Sequence, residues 1–445
     1  MPIDHWMLFG TFAEQRHFEY PATHTYQGVI INANMAAHAP AGLAAFLQQK
    51  TAGMKYIVDP LTHAFQHDPE VISNEDGSPK SSVRTLAETY REPVVATVGR
   101  VPLLPKHFHN TATLQAFTER CIEFQNDHLK NYMAQSDASK YLENGGAAPP
   151  YAVVAPYFFL TETNYQNWLP ICLEMAALTR RLVGSERRVF ASVVVSQGVL
   201  LDDSARVEVG RKYSELDVDG YMLWADNLDE QNASKAELRS FLKLARQLRS
   251  NSGREVINVH GGYFSILAAG LLGKAALTGV THGPEFGEFR GVIPVGGGIP
   301  IPKYYIPQLH ARVRYREALR FFQAKGWLKS ATEFHTNVCP CDECRSVLSG
   351  NTENFRLFGE GTVKNVRRRQ GIVRLEYPTG ETKLRCLRHY LQRKRYEYAF
   401  AATATAPELI KDLETGVTVF EDVAGLEGVC HLQIWKEVLS EVAAQ

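Results

Sequence analysis

The 445-residue chain has no stretch approaching the ~20 consecutive apolar residues that a membrane-spanning helix needs. Its first twenty residues carry Asp4, His5, Glu14, Arg16 and Glu19, so the apolar core of a secretory leader is missing there. Cytoplasm is the expected location, and no membrane partner is expected. Net charge is also missing. The 48 Lys plus Arg balance 48 Asp plus Glu, which excludes a chain-wide basic field for nucleic acid but not a local patch. Cysteine is sparse: seven residues are too few for a disulfide-dense secreted scaffold. With 45% hydrophobic and 22% charged residues, the chain is neither disordered nor collagen-like. No G-x-G-x-x-G follows the first strand candidate, so a dinucleotide cofactor is not indicated. No H-x-H pair stands at a strand end, which counts against a metal-dependent hydrolase.

Short β-branched runs alternate with longer helical patterns. Strands are expected at Val29–Asn34, Lys55–Asp59, Tyr151–Phe159, Val189–Ser196, Val218–Ala225, Val256–His260 and Leu277–His282, with one more inside Pro93–Leu104. Helical spacing of apolar residues marks Tyr165–Val183, Ser204–Leu216, Lys235–Ser250 and Phe264–Ala276. Alternating β and α with short loops implies a parallel sheet, and about eight strands in this length suit a (β/α)8 barrel. Asp59, Gln197, Asp226, His260 and His282 each follow a strand. On a barrel they share the C-terminal rim, where sites are built.

The texture changes after Gly296. A barrel is therefore expected over residues 1–300, a basic metal-binding subdomain over 301–400 and an acidic helical tail over 401–445. A basic helix is expected at Leu309–Trp327, a strand region at Val363–Tyr377 and a terminal helix at Leu432–Ala444. Cys339, Cys341 and Cys344 form C-x-C-x2-C, a spacing that can wrap one tetrahedral zinc. The fourth ligand is left open among His389, Cys386 and His335. A closed four-ligand site is structural rather than catalytic. Cys121, Cys172 and Cys430 read as core.

This metal motif, appended to a barrel, resembles the tRNA-guanine transglycosylase superfamily, which includes enzymes that insert 7-deazaguanines into DNA. The segment Tyr56-Ile57-Val58-Asp59-Pro60-Leu61-Thr62-His63-Ala64-Phe65-Gln66 resembles the family's D-S-G-G-F-Q strand end. Val195-Ser196-Gln197-Gly198 resembles its V-Q-G. Asp219-Gly220-Tyr221 with Leu228-Asp229-Glu230 resembles its D-G-Y…G-L-x-x-G-E. The resemblance implies base exchange at a glycosidic bond, with guanine or a 7-deazaguanine as the base and DNA or tRNA as the nucleic acid. It implies Asp59 as the carboxylate that handles protons near the base, and Gln197 as the amide that reads its edge. Trp224 is a candidate to stack on the base, and Asp226 is a candidate extra carboxylate. Where the family carries its nucleophilic aspartate in G-V-D-M-F-D, this chain reads Gly279-Val280-Thr281-His282-Gly283-Pro284-Glu285-Phe286-Gly287-Glu288, with no aspartate. His282, Glu285 and Glu288 are the catalytic candidates there. The pair Gly261-Gly262 opens a helix and is a candidate anion cradle.

Residues 364–396 hold eleven Lys or Arg against two acids, a net of +9, and residues 401–445 hold two against eight, a net of −6. The basic segment could carry a phosphate backbone. Two functions follow: a base-exchange glycosyltransferase, or a barrel of the antiphage-defence kind that recognises a 7-deazaguanine after losing the nucleophile. A second copy of the chain or another protein is left open as a partner.

Overall fold

A computed structural model describes residues 3–10, 18, 26–49, 51, 54–135, 148–250, 253–272, 275–284, 287–293, 301–368 and 371–444. Contacts divide the chain into two compact units. One comprises residues 3–230 with 236–294, and the other residues 295–445 with the first two residues and 231–235.

Among the described residues the larger unit is built on nine short strands: β1 (Asp4–Phe9), β2 (Gly28–Asn32), β3 (Lys55–Asp59), β4 (Val153–Val154), β5 (Phe159–Leu160), β6 (Val189–Val195), β7 (Gly220–Ala225), β8 (Glu255–Asn258) and β9 (Gly279–His282). All pair in parallel, in the order β3-β2-β1-β9-β8-β7-β6-β4, and β5 also lies on β6. The two ends meet. Ile57 bridges Ala152, and the Tyr151 N–H donates to the Tyr56 carbonyl at 2.7 Å. With β4 and β5 as one interrupted stave, this is a nearly closed eight-stranded parallel barrel, as the alternating pattern predicts.

The reason lies in the strands' composition. β6 and β7 are buried at every position, as strands covered on both faces must be. Trp6, Ile30, Ile57, Val154, Phe190, Met222 and Ile257 fill the interior, one or more from nearly every stave. The helices Tyr165–Val183, Asp203–Ser214, Lys235–Leu248 and Tyr263–Leu271 fall where the apolar spacing predicts, within a few residues at each end.

One strand lies outside the expected set, and two expected strands do not form as drawn. β1 is the barrel's first strand, formed around the apolar Trp6-Met7-Leu8-Phe9 run, which no expected strand covers. Pro93–Leu104 holds no strand. It forms a short helix, Val94–Thr97, and then a turn through Gly99 at φ 72°, because Pro93, Gly99 and Pro102 break a ladder. Tyr151–Phe159 is not continuous either. Pro156 has no N–H to give, and the stave is interrupted between β4 and β5.

In the second unit, β10 (Lys303–Ile306) and β11 (Ala311–Arg314) form an antiparallel pair, so the expected helix over Leu309–Trp327 is confined to Tyr315–Ala324. β12 (Gly361–Arg368) and β13 (Gly371–Pro378) form a hairpin whose described faces are largely exposed. A helix follows at Gly380–Thr403, capped by Thr379, whose Oγ accepts from the Thr382 N–H at 3.0 Å. The residues expected as a tail form a long helix, Ala406–Ala443, that bends at Gly425, where φ is 71°. It is no separate appendage: Leu409, Leu413, Phe420, Leu432 and Trp435 are buried in the same unit as the cysteines. His310 ties the two helices. It lies 2.8 Å from Glu397 and 2.9 Å from Asp412, while Lys394 meets Glu397 at 2.9 Å, so these buried charges are mutually paired. No helix among the described residues is long and apolar enough to cross a membrane.

Candidate rim cavity and metal centre

The strand ends place one set of polar groups around a cavity of about 630 Å³ at the C-terminal rim of the barrel. Asn32 and Asn34 come from β2 and its exit, Asp59 ends β3, Trp224 lies on β7 and His260 follows β8. His63 and His67 come from the loop after β3, and Arg290 from the loop after β9.

Asp59 is the only carboxylate on the described lining, and it is 3% exposed. Its Oδ1 accepts from the Tyr157 hydroxyl at 2.7 Å and from the Leu61 N–H at 3.1 Å. Burial pushes its pKa up from 3.8 to about 6, against the opposing pull of these two bonds and of the Arg290 charge. The loop that carries His63 is stitched to the β4–β5 segment. Thr62 Oγ donates to the Tyr157 carbonyl at 2.5 Å and accepts from its N–H at 2.8 Å, and the Gln66 amide pairs with the Phe159 backbone. His63 stacks on Tyr157 with 5.2 Å between ring centroids and meets Trp224 edge-on at 5.4 Å.

Burial first, then the Arg290 charge, lowers His260 to about 3, and burial with His67 and Arg290 holds His63 well below its usual range. Both rings are therefore neutral near pH 7. Two buried atoms on the lining residues, Nδ1 of His63 and Oδ1 of Asn34, have no hydrogen-bond partner. Both atoms have almost no accessible surface, so they lie behind the cavity wall and do not face its open space.

In the second unit Cys339, Cys341, Cys344 and His389 converge, all buried, with their ligand atoms within 4.8 Å of one another. The His389 Nδ1 lies 3.7, 3.3 and 3.3 Å from the three sulfurs in that order. A tetrahedral ion with N and S ligands sets these edges at about 3.6 Å, from bond lengths of about 2.05 and 2.3 Å. The histidine is oriented for the task. Its Nε2–H donates to the Tyr305 carbonyl at 2.7 Å, which leaves the Nδ1 lone pair for an ion. Tyr304 stacks on its ring at 4.2 Å. The cluster could hold one metal ion. His389, on the helix Gly380–Thr403, would be the fourth ligand. Cys386 instead donates to the Phe358 carbonyl, and His335 Nδ1 lies 3.0 Å from the Cys339 carbonyl.

No family model and no curated protein matches this chain.

The residues singled out on the barrel divide sharply. Asp59 and Trp224 line the cavity. Gln197 does not: it is exposed, and its amide donates to Glu237 at 2.5 Å, because it opens a helix and turns outward. Asp226 does not contact the cavity as a carboxylate either. Its Oδ1 accepts from the Val292 N–H at 2.7 Å and so anchors the loop that carries Arg290. Trp224 anchors the same loop, its Nε1 donating to the Arg290 carbonyl at 3.1 Å. His282 is fully buried, with its Nε2 2.8 Å from that of His5. Gly261 and Gly262 are no empty cradle. A Cβ on Gly262 would lie 2.9 Å from a Glu230 oxygen and 3.0 Å from a Glu288 oxygen, so the chain's own carboxylates occupy that side of the helix start. Glu285 lies outside the described residues. The residues not singled out are Asn32, Asn34, His63, His67 and Arg290. The rule that flagged His260, a polar side chain after a strand, also fits the two asparagines at the end of the expected strand Val29–Asn34.

Proposed function

We propose that the rim cavity binds a guanine-type base and that the protein acts on it as a transglycosylase-like enzyme, exchanging the base at a glycosidic bond of DNA or tRNA. One observation carries this reading: a buried carboxyl whose pKa is near 6 lines the cavity together with Asn32, Trp224 and three histidines. A heteroaromatic base offers both donors and acceptors at its edge, which matches a lining of neutral imidazoles and asparagine amides. Asp59, with a pKa close to working pH, suits the proton transfer that a departing or arriving base requires. In exchange, the C1′–N9 bond to the departing base breaks and a C1′–N9 bond to the incoming base forms; the departing base takes a proton at its ring and the incoming base gives up its N9 proton, so no net proton is consumed. We also infer that the Cys339, Cys341, Cys344 and His389 cluster holds a structural Zn2+, since three thiolates and one imidazole in a closed tetrahedral set are its typical ligands.

A second reading, recognition of a 7-deazaguanine without exchange, is favoured by the burial of His282 against His5 and by the placement of Glu288 beside Gly262, away from the described lining. The two readings separate in one experiment. Zinc-loaded protein is given labelled guanine with DNA and with tRNA, and in parallel is titrated with 7-deazaguanine bases in a calorimeter. Incorporation of label supports exchange. Binding without incorporation supports the recognition reading. Neither binding nor incorporation refutes both.

A further inference from the structure

The ionisable groups on the cavity lining are unequal in sign. Among the described lining residues Asp59 is the one acid, and Lys80 and Arg290 are the cations, while His63, His67 and His260 are held neutral by burial. The described lining is thus net positive by one with Asp59 ionised and by two with it protonated. The two cations are not equivalent. Lys80 is spent on the chain, its Nζ donating to the Val71 carbonyl at 2.9 Å. The Arg290 guanidinium makes no hydrogen bond or ion pair with any described residue. Its backbone, by contrast, is pinned. The Arg290 carbonyl accepts from Trp224 Nε1 at 3.1 Å and from the Asn227 N–H at 3.2 Å, and two residues on Val292 donates to Asp226 at 2.7 Å. A fixed backbone with a free guanidinium is how a protein presents a cation to a ligand at low entropic cost.

Depth adds a direction. Arg290 is exposed, whereas His63 and His260 on the same lining are only 4% and 6% exposed. A ligand that reaches both levels turns its polar ring edge inward and carries an oxyanion towards the mouth.

We propose that the cavity selects an anionic ring, a guanine-type base bearing a carboxylate or a phosphate, with Arg290 taking the oxyanion. This rests on the guanine-type reading above and adds the charge of the substrate to it. Guanidinium pairs carboxylate and phosphate equally well through parallel N–H···O bonds, so the shared chemistry is the oxyanion.

The test is calorimetric. Guanine, 7-carboxy-7-deazaguanine and guanosine 5′-monophosphate are titrated into the full chain and into Arg290→Gln. At least one anionic probe is expected to bind ten times more tightly than guanine or better, and the ratio should fall towards unity in Arg290→Gln. Preference for the carboxylated base assigns the oxyanion to the ring. Preference for the monophosphate assigns it to a sugar phosphate. The ratio in the unmodified chain should also shrink as salt rises, a readout that needs no variant. Guanine binding as tightly as both anionic probes, or a ratio indifferent to Arg290→Gln and to salt, overturns the proposal while leaving the base reading intact. If none of the three probes binds, both fall together.

Discussion

Replacing Asp59 with Asn should make the protein more stable above pH 6 while removing its activity. The carboxyl is fully buried and its pKa is raised from 3.8 to about 6. Below pH 3.8 both the folded and unfolded chains hold the proton. Between 3.8 and 6 only the folded chain does, so folding loses stability as pH rises through this window, and the whole cost is present above it. The difference of about 2.2 units corresponds to roughly 3 kcal/mol at 1.36 kcal/mol per unit. The amide of Asn keeps an oxygen to accept from the Tyr157 hydroxyl and the Leu61 N–H, so the two bonds at 2.7 and 3.1 Å survive. The stability of Asp59→Asn relative to the unmodified chain should therefore rise by roughly 3 kcal/mol between pH 3.5 and pH 7.5. For a unit of this size that is a Tm shift of about 5 °C. Thermal unfolding of both proteins across this pH range, followed by fluorescence, reads it directly. A variant that is less stable at pH 7.5, or a difference that does not change with pH, would refute the assignment of a strained buried carboxyl. Base exchange or binding should fall at the same time, the pattern of a group kept for function at a cost in stability.

The metal centre gives a second prediction. Cys344→Ala should drop metal content from one ion per chain towards zero and lower the Tm of the C-terminal unit, because a closed site of this kind contributes to folding directly. Elemental analysis and a chelator titration check it, and unchanged metal and Tm would reject it. Asp226 is a positioning residue, and Asp226→Ala should cost about 1–2 kcal/mol by leaving the Val292 N–H unpaired. It should also weaken discrimination between anionic and neutral probes. Asp226→Asn, which retains an acceptor, should restore both, whereas failure of Asn to rescue would show that the carboxylate charge itself matters.

What was legible in the sequence follows from what each signal physically encodes. Buried parallel strands must be apolar throughout, so β6 and β7 stood out as runs. The cysteine spacing encodes a wrap around one ion, so three ligands were evident, but His389 lies 45 residues beyond Cys344 on a helix of its own, and spacing says nothing about it. At the rim, a polar residue after a strand reveals which end of the barrel it occupies but not which way it turns. Gln197 and Asp59 satisfy the same rule, yet one begins a helix and points outward while the other closes a strand and lines the cavity. His282 ends a strand too, and the pairing of β9 with β1 sets it against His5. Tertiary partners decide these cases, and the partners are far apart in the chain.

The β12–β13 hairpin leaves the second unit at Gly361 and returns at Pro378, and these two residues are paired with one another. The excursion begins and ends at a single point, between the cysteine cluster and the helix that brings His389. Its length is therefore decoupled from the metal centre. Residues can be added to or taken from its tip without moving any ligand or opening the core, since a chain that departs and comes back through one pair imposes no distance on what lies between. That makes the hairpin a place where a fluorescent or affinity module could be spliced in while the metal ligands stay as they are.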